Sequence, residues 1–108
     1  MKGTNLGEFE ELVLLTVGIL DKDAYGLAIK DDLEIRTGRK PSIGALHSAL
    51  TRLEEKGFVD SSMEGATEDR RGRRKRFYQL TNLGRNTIQE IYDQRTAMIR
   101  LIPNLSNS

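Results

Sequence analysis

The chain contains no cysteine and no tryptophan, and only one histidine and two prolines among its 108 residues. Without cysteine there is no disulfide framework, no thiolate nucleophile and no cysteine-bound zinc. A lone imidazole, His47, rules out a two-histidine metal site within one protomer, and a serine–histidine–carboxylate triad would have to use that same residue. No glycine-rich phosphate loop with its lysine occurs. Neither catalysis nor a metal or cofactor is therefore expected. No run of 18 apolar residues is present, so no membrane-spanning helix is expected. The N-terminus lacks the basic, apolar, then small-residue order of a signal peptide, which makes the cytoplasm the expected location.

What remains is a small chain with 37% hydrophobic residues, enough for one modest core. Its formal net charge is only +1, but the charge is unevenly spread. Residues 1–35 carry three basic and eight acidic side chains, whereas residues 36–85 carry twelve basic and six acidic ones. Within the basic segment, Arg70, Arg71, Arg73, Arg74, Lys75 and Arg76 place six cations in seven positions. Such a run is either a solvated loop or a surface for a polyanion, and its surroundings decide which.

Phe9, Leu12, Val13, Thr16, Val17 and Leu20 recur at helical spacing and predict a first helix over 8–20, with Leu14, Leu15 and Ile19 widening its apolar face. Asp23 is expected to cap a second helix over 24–37, with Tyr25, Ala28, Ile29 and Leu33 on its inner face and Gly38 ending it. After Arg39-Lys40-Pro41, Ser42 is expected to cap a third helix running to about Lys56. Gly57 then ends that helix and lets Phe58 fold back on Leu53. Val59–Glu64 and Lys75–Leu80 predict two strands of a hairpin, joined by the polar loop Gly65–Arg74. Thr81 is expected to cap a fourth helix from 82 to about 101, ahead of Pro103 and a polar tail.

Three helices, a hairpin and one more helix predict an α+β, mainly α fold: a winged helix-turn-helix with a C-terminal helix. The expected division is a winged helix-turn-helix over 1–80, a dimerisation helix over 81–103 and a flexible tail over 104–108. At about 100° per residue, Ile43, Leu46, Leu50 and Leu53 fall on the core side of the third helix. Gly44, Ser48, Thr51, Arg52 and Glu55 point outward and His47 lies at the boundary. A small, polar outer face with a positive N-terminus suits a DNA major groove, and an arginine-rich loop beside it suits phosphates. The expected DNA contacts are therefore Arg39, Lys40, Ser42, Gly44, His47, Ser48, Thr51, Arg52, Arg73, Arg74, Lys75 and Arg76. His47 is read first as a hydrogen-bonding group beside the DNA, with a proton switch as the alternative.

In the fourth helix, Ile88, Ile91, Arg95, Met98 and Ile102 recur at a 3, 4, 3, 4 spacing with Tyr92 and Ile99 adjacent, an a/d-like seam interrupted by Arg95. A helix of that length outruns so small a domain and calls for a partner. A homodimer interface is expected from those residues together with Phe9 and Leu12 of the first helix.

Several separated segments resemble the PadR family of transcriptional regulators. They are Leu6-Gly7-Glu8-Phe9-Glu10-Glu11-Leu12-Val13-Leu14-Leu15, Asp23-Ala24-Tyr25-Gly26, and Ser42-Ile43-Gly44-Ala45-Leu46 through Leu50. Leu53-Glu54-Glu55-Lys56-Gly57-Phe58-Val59, Gly72-Arg73-Arg74-Lys75-Arg76-Phe77-Tyr78 and Leu80-Thr81-Asn82-Leu83-Gly84 follow in consistent order. The resemblance implies a winged-helix DNA-binding domain, a homodimer held by the C-terminal helix, and repression of a palindromic double-stranded operator relieved by a small-molecule or stress signal. It implies a cytoplasmic protein, nucleoid-associated when on its operator. One departure is His47, where the family commonly has tyrosine. With no tryptophan, a flat aromatic wall for an effector at the dimer interface is not available. The competing readings are a winged-helix protein-interaction module that binds an acidic partner through its basic wing and, more weakly, a single-stranded RNA binder. The latter lacks an exposed aromatic platform on the third helix.

Overall fold

The computed structural model describes residues 6–64 and 74–105. Helix α1 spans Glu8–Leu20, a short 3-10 turn follows at Asp21–Asp23, and α2 spans Gly26–Thr37. Helix α3 spans Ile43–Glu55, strands β1 and β2 span Val59–Glu64 and Lys75–Leu80, and α4 spans Asn82–Arg100. The hairpin is antiparallel, with Val59 opposite Leu80 and Glu64 opposite Lys75.

Local chemistry accounts for most of these boundaries. The Ser42 hydroxyl accepts from the Ala45 amide and the Thr81 hydroxyl from the Gly84 amide, so both α3 and α4 begin on side-chain caps, as expected. At the end of α3 the Phe58 amide donates to the Leu53 carbonyl and the Gly57 amide to the Glu54 carbonyl. Gly57 takes φ +84°, the left-handed conformation that this paired closure needs.

The core is one cluster. Val13, Leu14 and Val17 of α1 meet Ile29 and Leu33 of α2, Leu46, Ala49, Leu50 and Leu53 of α3, and Phe58, Val59 and Tyr78 of the hairpin. Each fully buried leucine there contributes about 1.5–3 kcal/mol of transfer free energy. Ile43, expected in this core, is 49% exposed, and Ala49 takes the inward place instead. Ile43 is the first helical residue, directly after the cap, and it stands clear of the cluster that covers the rest of α3.

The second helix also starts later than expected. Asp23 does not cap it; Tyr25 occupies the cap position with no side-chain hydrogen bond. The reason lies about fifty residues away in the chain. The Tyr78 amide donates to the Ala24 carbonyl at 2.8 Å, and Tyr25 forms an antiparallel bridge with Phe77. Residues 24–25 thus run extended along β2, which holds them out of the helix, and Ala24 is fully buried there.

Helix α4 is rooted on the turn between α3 and β1. The Thr81 hydroxyl donates to the Gly57 carbonyl and the Thr81 amide to the Phe58 carbonyl. At Gly84 a Cβ would stand 2.1 Å from the Phe58 carbonyl oxygen, so only glycine admits this close approach. Beyond Gly84 and Thr87 the helix has no buried residue, and the molecule reaches 58 Å in its longest dimension against 28 and 22 Å in the others. No described helix is long and apolar enough to cross a membrane.

Candidate nucleic-acid interface

The outward side of α3 is small and polar: Gly44, Ser48, Thr51 and Glu55 are all exposed. Its two edges face different elements. One edge carries Ala45, Arg52 and Lys56 toward α1, and the other carries His47 and Glu54 toward β1, β2 and the start of α2. The sequence expectation that Gly44, Ser48 and Thr51 point away from the core agrees with their exposure.

On the α1 edge, Glu10 is the organising residue. It is only 7% exposed, accepts from Arg52 Nε, and accepts from Lys56 Nζ at 3.0 Å. Burial pushes its carboxyl up, but the hydrogen bonds and charges of Arg52 and Lys56 together outweigh burial and hold it below its usual range. Arg52, expected to face DNA, is thus half exposed and tied by its Nε to α1. Glu8 pairs with Arg39 of the α2–α3 turn at 2.6 Å, and Glu11 pairs with Arg95 of α4 at 2.8 Å. Three carboxylates from the first turn of α1 therefore tie down cations of three other elements. Sequence reasoning missed this role. A signal existed for Glu10, which lies in phase with Val13 and Val17 on the apolar stripe, where a carboxylate needs a partner.

On the wing edge the cations are held differently. Arg74 Nη2 donates to the Met63 carbonyl at 3.1 Å, and Arg76 Nη1 donates to the Ser61 hydroxyl at 2.9 Å. Lys75 Nζ stands 4.1 Å from the centre of the Tyr25 ring, and that ring meets Phe77 edge-on at 5.4 Å. Tyr25 was expected only as an inner-face residue of α2; here it braces the wing. Tyr25, Gly26, Leu27, His47, Arg74, Lys75, Arg76 and Tyr78 together enclose a hollow of about 350 Å³. Burial pushes the Tyr78 phenol up, so it stays neutral there. Arg73, together with Arg70 and Arg71, lies outside the described residues.

At the other end of α3, Arg39 and Lys40 are exposed beside Pro41, Ala45 and the side of Phe9, next to the Ser42 cap. Among the described residues no group of three or more histidines or carboxylates is placed to hold a metal ion.

The residues expected at a dimer interface divide in two. Phe9, Leu12 and Ile88 are half-buried against the chain's own core, Ile91 is half-buried, and Arg95 is engaged by Glu11. Tyr92, Met98 and Ile99 are 62%, 63% and 42% exposed on the projecting part of α4, and Ile102, 51% exposed, lies just past the Leu101 cap that ends the helix. On α1 the exposed apolar residues are Leu15 and Ile19.

A three-helix core with a hairpin wing beside an outward third helix defines a winged helix-turn-helix protein. Within that class, the chain belongs to the PadR-like family of transcriptional regulators, whose family model matches residues 14–90. A PadR family transcription regulator from hypervirulent Clostridium difficile superposes with a TM-score of 0.71 at 26% identity, covering 87% of this chain and 92% of that one. A transcriptional regulator from Clostridium thermocellum gives 0.67 at 21% identity, over 91% and 89% of the two chains. A PadR family regulator from Eggerthella lenta gives 0.67 at 23% identity, over 86% and 80%. The last two likenesses are of fold alone. No curated protein matches the chain.

Proposed function

We propose that the protein is a homodimeric repressor that occupies a palindromic DNA operator and is released by a small-molecule or stress signal acting at the dimer interface. The observation that carries this reading is the outer face of α3. It is small, polar and exposed, and it stands beside a wing base whose cations have no carboxylate partner among the described residues. Gly44 lets backbone approach a groove floor, and Ser48 and Thr51 offer hydroxyls to base edges. Arg74, Lys75 and Arg76 grip the flanking phosphates, and Arg39, Lys40 and the capped start of α3 meet the backbone at the other end. His47 and the exposed part of Arg52 complete the two edges.

A second copy makes the contact bidentate. The exposed Tyr92, Met98 and Ile99 on α4 and Ile102 just after it, with Leu15 and Ile19 on α1, form an apolar surface that a twofold-related copy covers. Two third helices then sit about one DNA turn, roughly 34 Å, apart, which requires a palindromic site. Such a protein works in the cytoplasm, on the nucleoid, and represses by excluding other proteins from its operator.

Titrating the purified protein against duplexes from the promoter of its own gene, over a range of salt, tests the reading. With three cations per protomer on phosphates, log affinity falls with log salt at a slope of about −5. A slope near zero on a sequence-selected duplex sinks the phosphate grip. In sedimentation, Met98→Asp with Ile102→Asp gives a monomer that loses selective binding; a persisting dimer means the interface lies elsewhere.

A further inference from the structure

The hollow between α3 and the base of the wing gathers cations that no described carboxylate pairs. In every ion pair among the described residues the cation is Lys30, Arg36, Arg39, Arg52, Lys56 or Arg95. None of these lines the hollow. Its own cations, Arg74, Lys75 and Arg76, are instead positioned by a carbonyl, an aromatic face and a hydroxyl. Neutral partners fix the direction of a cation and leave its charge uncompensated. Four potential cations converge on about 350 Å³ when His47 is included, and among the described residues no carboxylate lines the space.

The start of α2 adds to the field. Gly26 and Leu27 form its first turn at the rim, and the Tyr25 cap position makes no side-chain hydrogen bond to the first-turn amides. The nearest carboxylates act indirectly. Glu54 accepts from the Ser61 hydroxyl at 2.8 Å, the same hydroxyl that accepts from Arg76. Glu64, opposite Lys75 in the ladder, accepts from Ser62 and borders a separate hollow with Asp21 and Lys22.

Resting on the DNA-binding reading above, we infer that this hollow seats one phosphodiester of the DNA backbone, and that His47 joins the grip as a cation only when protonated. The titratable and charged groups that share the hollow with His47 are Tyr25 at the cap of α2 and Arg74, Lys75, Arg76 and Tyr78 from β2 and its approach; Glu54, on its own helix, lies two turns further on, where it accepts from Ser61. Of these side-chain types only an imidazole ordinarily changes charge between pH 6 and pH 8. A phosphodiester seated among Arg74, Lys75 and Arg76 brings negative charge beside His47 and favours a proton there. Binding therefore takes up a proton, and by linkage affinity is greatest at low pH and falls as pH rises.

The test measures affinity for a selected duplex at pH 6 and pH 8, with wild type and His47→Gln. Wild type should tighten roughly tenfold on acidification, and the variant should show little change. His47 is exposed, so the substitution spares the core. As the only histidine it also gives one imidazole NMR signal, which should titrate at higher pH once duplex is added. Equal pH dependence in both proteins, or an imidazole titration unmoved by duplex, overturns the role of His47 and leaves the DNA reading standing. If no duplex binds but the imidazole signal still responds to inorganic pyrophosphate, the hollow is an anion seat and the operator reading falls. If it responds to neither, both fall.

Discussion

The two edges of α3 carry similar numbers of cations and use them in opposite ways. Toward α1, Arg52 and Lys56 converge on the buried carboxylate of Glu10, which offsets one of their two charges and holds α3 against the body of the protein. Toward the wing, Arg74, Lys75 and Arg76 rest on neutral partners, with no carboxylate partner among the described residues. The acidic first third of the sequence thus has a spatial purpose. It offsets positive charge on one side of α3, while the cations on the other side rest on neutral partners. A near-zero net charge is compatible with a strongly directional field.

Three perturbations sharpen or break that contrast. The largest effect should come from Arg52→Ala combined with Lys56→Ala, which strands the Glu10 carboxylate in the protein. Urea unfolding should show a loss of about 3 kcal/mol. An unchanged midpoint would mean that this edge is as solvated as the other. Next, Arg74→Ala, Lys75→Ala and Arg76→Ala together should weaken duplex binding about thirtyfold and reduce the magnitude of its salt slope. Stability should shift by no more than about 1 kcal/mol, because these cations lie on the surface. A large loss of stability with an unaltered salt slope would reverse the assignment of the two edges.

The smallest effect concerns acid. The Glu10 carboxyl is held below its ordinary 4.5, so its pairing contributes stability that is complete above that value. That contribution is lost as pH falls through the lower, folded-state value. Glu10→Gln should therefore be less stable than wild type at neutral pH, with the gap closing below about pH 4.5. A gap of constant size, followed by circular dichroism at each pH, would show that the carboxylate charge is not what matters there.

Much of this was legible in the chain itself. The limits of both wing strands, the Ser42 and Thr81 caps and the Gly57–Phe58 closure follow from signals within a few residues: alternation, a capping hydroxyl, a glycine after a helix. The outward face of α3 followed from its period. The places that misled were governed by distant residues. Asp23 has the chemistry of a helix cap, but Ala24 and Tyr25 are drawn out of α2 by β2. Ile43 has the phase of a core residue but sits one position inside the cap, beyond the reach of the cluster. Phe9 and Leu12, expected at a dimer interface, are half-buried against the chain's own core, and Leu15 and Ile19 stand exposed beside them.

The sequence alone determined the order of the elements, their caps, the polar face of α3 and the concentration of cations near the wing, because each is set by local backbone preference and side-chain periodicity. Only the tertiary structure decided which cations are neutralised. The carboxylates of Glu8, Glu10 and Glu11 meet partners 31, 42, 46 and 84 positions away, and Coulomb attraction depends on distance in space, not along the chain.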